Sequence, residues 1–210
     1  MTTQQQRVYG GLDADQRVAE RRRRFIEAGL DLLGGEGDAE PAVSVRGVCK
    51  HAGLVARYFY ESFADRDAFV GAVYDHVVDD LAATTHDAVT TTAGDQRVKT
   101  RAGIANLVRI IADDPRRGRL LFSPRLSSTL LAQRRMQSSW RFASLLWAQA
   151  REFNAGRDSE NLRLPAHFMV GGLGQALSAW QSGELTLDRE QLVDACTDLF
   201  VSALRQASPR

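Results

Sequence analysis

Apolar residues recur at three- and four-residue intervals along almost the whole chain, and no stretch alternates apolar and polar for long. Positions i, i+3 and i+4 share one face of a helix, so this period predicts helices and an all-α fold. The breaks between periodic stretches are rich in Gly, Pro and Asp. Helices are predicted at about 16–34, 44–51, 55–62, 66–90, 96–112, 116–122, 125–154, 164–183 and 188–206. Several starts have a chemical reason. Ser44, Asp65, Asp95 and Asp188 each stand where a side-chain oxygen can accept from free N–H groups of a first turn. Asp67 lies near the positive end of the helix that follows Asp65. The run "DDP" at 113–115 is a stop, and 154–165 reads as the longest polar loop.

The short predicted helices lie at the front and the long ones follow. This contrast divides the chain into a polar tail (1–15), a small helical module (16–66) and a larger helical body (67–210). Within the module, Val45, Val48 and Cys49 share a face, and Ala52-Gly53 supplies a sharp turn that needs φ > 0. Leu54 plugs the corner, and a second short helix carries Arg57, Tyr58, Phe59 and Tyr60. Three adjacent aromatics cannot all face one core. Phe59 and Phe63, four apart, bury together, which leaves Arg57, Tyr58 and Tyr60 towards other faces. That spacing is the one of a helix–turn–helix, whose second helix enters a DNA major groove. In the competing reading, the tyrosines pack on the first helix and Arg57 pairs with Glu61.

The pieces "RFIEAGLDLLGGEG" (24–37), "SVRGVCKHAGL" (44–54) and "RYFYESFADRDAFVGAVYD" (57–75) make residues 23–75 resemble the DNA-binding domain of the TetR family of transcriptional regulators. The resemblance implies an N-terminal three-helix helix–turn–helix domain and a larger C-terminal ligand-binding and dimerisation domain. It implies a homodimer on a palindromic double-stranded DNA operator, and a ligand pocket in the body that releases DNA when filled. By position, Ser44 and Arg46 fall where the family touches the DNA backbone or a base edge. Arg57, Tyr58 and Tyr60 fall on the reading helix, and Arg66 where a phosphate-binding Lys is usual. Val55 stands in place of the usual Ser or Thr cap, Ser62 in place of a frequent His, and Tyr58 in place of a small residue. Loop 35–43 is slightly longer than usual. The family's base preference therefore does not transfer.

Charge refines this picture without deciding it. Net charge is +1, with 44% hydrophobic and 25% charged residues, as in a globular protein. Residues 1–78 carry ten Lys/Arg and twelve Asp/Glu, a net of −2, which excludes a generic basic domain. "RRRR" at 21–24 is a single block, either following a phosphate strand or forming a solvated helix face. Residues 115–141 hold seven arginines and no acid, which reads as a solvated basic face or an anion-binding surface. Cys49 and Cys196 sit in apolar stretches and read as buried free thiols.

In the body, helix 125–154 carries two apolar stripes, one of Met136, Trp140, Ala143, Trp147 and Ala150. Together with Phe122 and Phe168, Met136, Trp140 and Trp147 are candidates for a pocket wall suited to an apolar or amphipathic small-molecule effector; the competing reading is plain core. Met169, Leu173, Leu177, Trp180, Leu192, Cys196, Leu199 and Phe200 form two wide apolar faces near the chain end, expected at a dimer interface because one subunit would not bury them. His76 and Asp80, one turn apart, form no complete metal set, and no catalytic fingerprint, cofactor motif or apolar run of membrane-spanning length occurs. The expectation is a cytoplasmic ligand-responsive regulator, a repressor, rather than an enzyme. An activator, or an all-helical small-molecule carrier, are the alternatives.

Overall fold

The computed structural model describes residues 14–37, 41–153 and 162–207. Among these residues the chain forms nine α-helices: α1 (Ala14–Gly34), α2 (Val45–Ala52), α3 (Ala56–Ser62), α4 (Arg66–Thr91), α5 (Gln96–Asp113), α6 (Pro115–Phe122), α7 (Thr129–Phe153), α8 (Arg163–Gln181) and α9 (Arg189–Ala207). The expected tail falls outside the described residues as far as residue 13, and so do 38–40 and 154–161 of the two expected loops.

The helix starts follow local chemistry. Ser44 Oγ accepts from the Gly47 N–H (3.1 Å), Asp65 from Ala68 (2.7 Å) and Asp95 from Val98 (3.0 Å). Asp188 accepts from the Gln191 N–H while its own N–H donates to Gln191 Oε1, a reciprocal cap. Asp114 opens α6, with Pro115 in the first turn where its missing N–H costs nothing. α7 begins at Thr129, four residues later than predicted. Pro124 sits in a turn instead, and Ser128 Oγ accepts from the Leu131 N–H.

Two hydrophobic clusters hold the helices together. The first joins Phe25, Val48, Phe59, Phe63, Phe69 and Val73 to Leu120, Leu126 and Leu131, so α1–α4 pack with α6 and the start of α7. α1 crosses α4 closely at Gly29, where any Cβ would overlap the Val73 side chain. The second cluster joins Ile104, Val108 and Ile111 of α5 to Met169 and Leu177 of α8 and to Leu192, Val193, Cys196, Phe200 and Leu204 of α9. Phe122 touches both.

This second cluster corrects the expected dimer interface. Met169, Leu177, Leu192, Cys196 and Phe200 are buried within their own chain, and Leu173 and Trp180 pack half-buried against them. α5 lies along α9 and fills the face that was expected to need a partner. Of the eight, Leu199 alone points outward, 70% exposed. Both cysteines are free and buried, and burial pushes each thiol pKa up. No helix among the described residues is long and apolar enough to cross a membrane.

Candidate nucleic-acid interface

The turn between α2 and α3 is made by Gly53 at φ 63°, in the left-handed region that favours glycine. The Leu54 N–H closes back on the Cys49 carbonyl at 3.0 Å, ending α2 cleanly. α3 has no side-chain cap at Val55 and is fixed instead by packing. Phe59 is fully buried, with the rings of Phe25, Phe63 and Phe69 5.3–5.6 Å from its centroid. This anchor turns its neighbours outward. Arg57 is exposed and held only by Glu61 (Nε–Oε1 3.0 Å), and Tyr60 is 60% exposed. Arg46 on α2 and Arg66 at the start of α4 are exposed too, while Ser44, also exposed, uses its hydroxyl as a cap. Tyr58 differs from the others. It packs half-buried against the first cluster, with the Arg21 guanidinium 4.3 Å from its ring centroid.

The arginine block at 21–24 is committed to the module itself. Arg22 donates to the Ser62 carbonyl (3.0 Å) and covers the Phe63 ring, and Arg24 donates to the Ala52 carbonyl (2.6 Å). Arg23 pairs with Glu20. Ser62 and Ala52 are the last residues of α3 and α2, whose carbonyls have no helical partner and carry the negative end of each helix dipole. Two members of the block therefore seal the ends of α3 and α2 from outside them.

The sequence matches no protein-family model and no curated protein. Solved structures do match. The fatty acid degradation regulator FadR from Bacillus halodurans superposes with a TM-score of 0.72 at 17% identity, over 88% of this chain and 96% of that one. FadR from Bacillus subtilis, in complex with stearoyl-CoA, gives 0.69 at 14% identity, over 86% and 98%. A TetR family transcription regulator from Marinobacter aquaeolei VT8 gives 0.63 at 18% identity, over 90% and 97%. The fold is that of the TetR-family regulators. In the TetR-like fold an N-terminal DNA-binding domain is followed by a larger C-terminal helical domain.

In the body of this TetR-type fold, the arginines of 115–141 are staples, not a free basic face. Arg116 binds Asp114 (2.8 Å), Glu27 (2.8 Å) and Asp31, and its guanidinium holds the Asp114 carboxyl below the usual range. Arg119 donates to the Gly34 carbonyl (2.5 Å), and Arg125 donates to the carbonyls of Leu33, Gly35 and Gly37. Together they close the C-terminus of α1. Arg117 pairs with Asp80, Arg134 with Asp75 and Arg141 with Asp79. Asp80, considered above beside His76 for a metal, is thus engaged, and no group of three possible metal ligands occurs among the described residues.

The five residues expected on a pocket wall differ in burial. Phe122 and Trp147 are half-buried, the latter flanked by the Arg151 guanidinium at 5.0 Å. Met136, Trp140 and Phe168 face out of the protomer. A cleft of about 310 Å³ between α4 and α7 is lined by Tyr74, Asp75, Val78, Asp79, Arg134, Gln137, Ser138 and Arg141. Sequence reasoning missed this site because its two walls lie about sixty residues apart and carry no local motif.

Proposed function

We propose that this chain is a ligand-responsive transcriptional regulator, a repressor, that binds a palindromic operator as a homodimer and is released by a small molecule held in its body. The observation that carries this reading is α3: an exposed Arg57 and Tyr60 on a short helix made rigid by a fully buried Phe59, on a fold shared with known regulators. Arg57 suits guanine N7 and O6, and the Tyr60 hydroxyl suits a phosphate. Ser44, Arg46 and Arg66 supply backbone contacts, and Tyr58 presents its free edge beside them. In a dimer, two such helices about 34–36 Å apart enter successive major grooves. The hold of Glu61 on Arg57 is an exposed i,i+4 pair worth only about 0.3–0.5 kcal/mol, so DNA displaces it readily.

The test is selection of bound fragments from genomic DNA with the purified protein, followed by titration of the recovered site. Arg57→Ala is expected to weaken that site by about 1–3 kcal/mol and relax its specificity, while Arg66→Ala lowers the salt slope by about one and weakens all sequences alike. Recovery of no palindrome, or indifference to both substitutions, removes the reading. Ligand binding that persists with no specific DNA site would favour the carrier.

The dimer face is assigned to residues the protomer leaves open. Leu164, Phe168 and Leu199 are 70–79% exposed, and Gly171 and Gly172 have open space above them where a second helix can approach. Pairing α8 and α9 with their symmetry mates gives a four-helix bundle. Leu199→Asp is expected to turn the dimer into monomers in sedimentation equilibrium with helical content intact, and to lower operator affinity. A dimer that survives both Leu199→Asp and Phe168→Glu places the interface elsewhere.

A further inference from the structure

The α4–α7 cleft is lined by opposed charges in register. Asp75 faces Arg134 at 2.6 Å, and Asp79, one turn on along α4, faces Arg141, two turns on along α7, at 2.5 Å. Between these rungs the Tyr74 hydroxyl meets Ser138 Oγ at 2.8 Å. Ser138 Oγ also reaches the Arg135 carbonyl at 3.0 Å, so the two hydroxyls form one short polar chain across the cleft. The Gln137 side chain has no partner among the described residues and adds an amide that can donate or accept. The lining thus holds two acids, two bases and a neutral polar strip, with Tyr74 and Val78 as its buried floor.

That charge pattern selects its ligand. The wall is neutral in sum, so a simple anion meets Asp75 and Asp79 as repulsion, and a simple cation meets the two arginines. A fatty chain finds only Val78. A molecule carrying both an ammonium and a carboxylate can replace each half of an existing pair: the ammonium on the aspartates of α4, the carboxylate on the bidentate donors of α7. Asp75 has the greater need. Burial pushes its carboxyl pKa up, Arg134 only partly opposes this, and Asp79 adds to it. A second cation at that point relieves the imbalance.

We propose that the cleft between α4 and α7 is a binding site for a small zwitterion of the amino-acid type. The inference deepens the regulator reading and rests on it for one consequence: four of the lining residues belong to α4, whose first residue, Arg66, follows the recognition helix after three residues, so a ligand here acts on the helix that carries the reading head. Binding itself is independent of DNA.

The full-length protein is heated with each of the free L-amino acids at millimolar concentration, with acetate, methylammonium and palmitate as single-feature controls. At about a hundred times its dissociation constant, a true ligand is expected to raise the melting temperature by about 5–10 °C. Acetate and methylammonium, alone, should not. By calorimetry, Asp75→Asn and Arg134→Gln should each weaken that ligand at least about tenfold, while Val98→Ala, exposed on α5 and outside the lining, leaves it unchanged. Should the first pair fail to fold, Asp79→Asn and Arg141→Gln, at the more exposed rung, give the same test. The proposal is overturned by no shift across the panel, by acetate reproducing the shift, or by binding that ignores the substitutions. A recovered operator with no amino-acid binding sinks the site and leaves the regulator standing; the opposite result does the reverse.

Discussion

Phe59→Ala is expected to destabilise the protein by about 3–5 kcal/mol and to abolish specific DNA binding. Phe59 has no exposed surface, and its ring meets Phe25, Phe63 and Phe69 within 5.6 Å. Truncation removes those contacts together and leaves a cavity between α1, α3 and α4, which the short α3 cannot close. The helix has seven residues and no side-chain cap, so packing is its main support. Because a domain of ordinary stability has only about 5–15 kcal/mol in total, this loss consumes a large share. Phe59→Leu restores much of the volume and should cost clearly less. Urea unfolding with unchanged slope checks the number. A loss under about 1 kcal/mol would mean that the aromatic cluster is not what orients Arg57 and Tyr60.

The second large effect belongs to Arg135, half-buried and without a carboxylate among its bonds. Its Nε donates to the Leu121 carbonyl (2.8 Å), Nη1 to Leu126 (2.8 Å), and Nη2 to Leu120 (3.2 Å) and Ser123 (3.0 Å). These are the end of α6 and the turn after it, so one guanidinium answers the carbonyls of Leu120, Leu121 and Leu126, shares that of Ser123 with the Leu126 N–H, and meets the negative end of the helix dipole. Burial lowers its pKa, yet a guanidinium remains charged at any pH the fold survives. Arg135→Met keeps the stem and removes every donor. Each buried carbonyl left unsatisfied costs about 1–3 kcal/mol, the Ser123 carbonyl keeps the Leu126 N–H, and water can reach some of the other three, so a total of about 3–5 kcal/mol is expected. For a chain of this size that lowers the melting temperature by roughly 10 °C. Arg135→Lys, with a point charge in place of a planar fork, should recover only part. A change of less than about 3 °C would show that water replaces the guanidinium.

The caps and the turn were legible in the sequence because their physics is local. Ser44, Asp65, Asp95 and Asp188 act on N–H groups three residues away, and Gly53 acts on its own φ. The burial of Phe59 and exposure of Tyr60 were legible too, whereas Tyr58, read as facing outward, packs half-buried under Arg21, a contact from another helix. The arginines were not. Arg116 finds Asp31 85 residues away, Arg125 finds Gly35 90 away, and Arg134 finds Asp75 59 away. No window of sequence contains both partners, so a run of unpaired positive charge looks solvated when it is internally balanced. Which residues of α8 and α9 stay open was hidden for a different reason. Periodicity shows that α9 has an apolar side but not which neighbour fills it; α5 takes Leu192, Cys196 and Phe200, leaving Leu199 on the opposite side.

The closing of α1 by Arg119 and Arg125 bears on how the reading head could be reused. A gene fragment cut after the third helix would carry Ser44, Arg57 and Tyr60 yet lack both side chains that finish the first helix, along with Leu120 and Leu126 beneath it. Moving α1–α3 intact onto another protein therefore calls for a segment running to about residue 135, and a cut between α3 and α4 would sever the clasp.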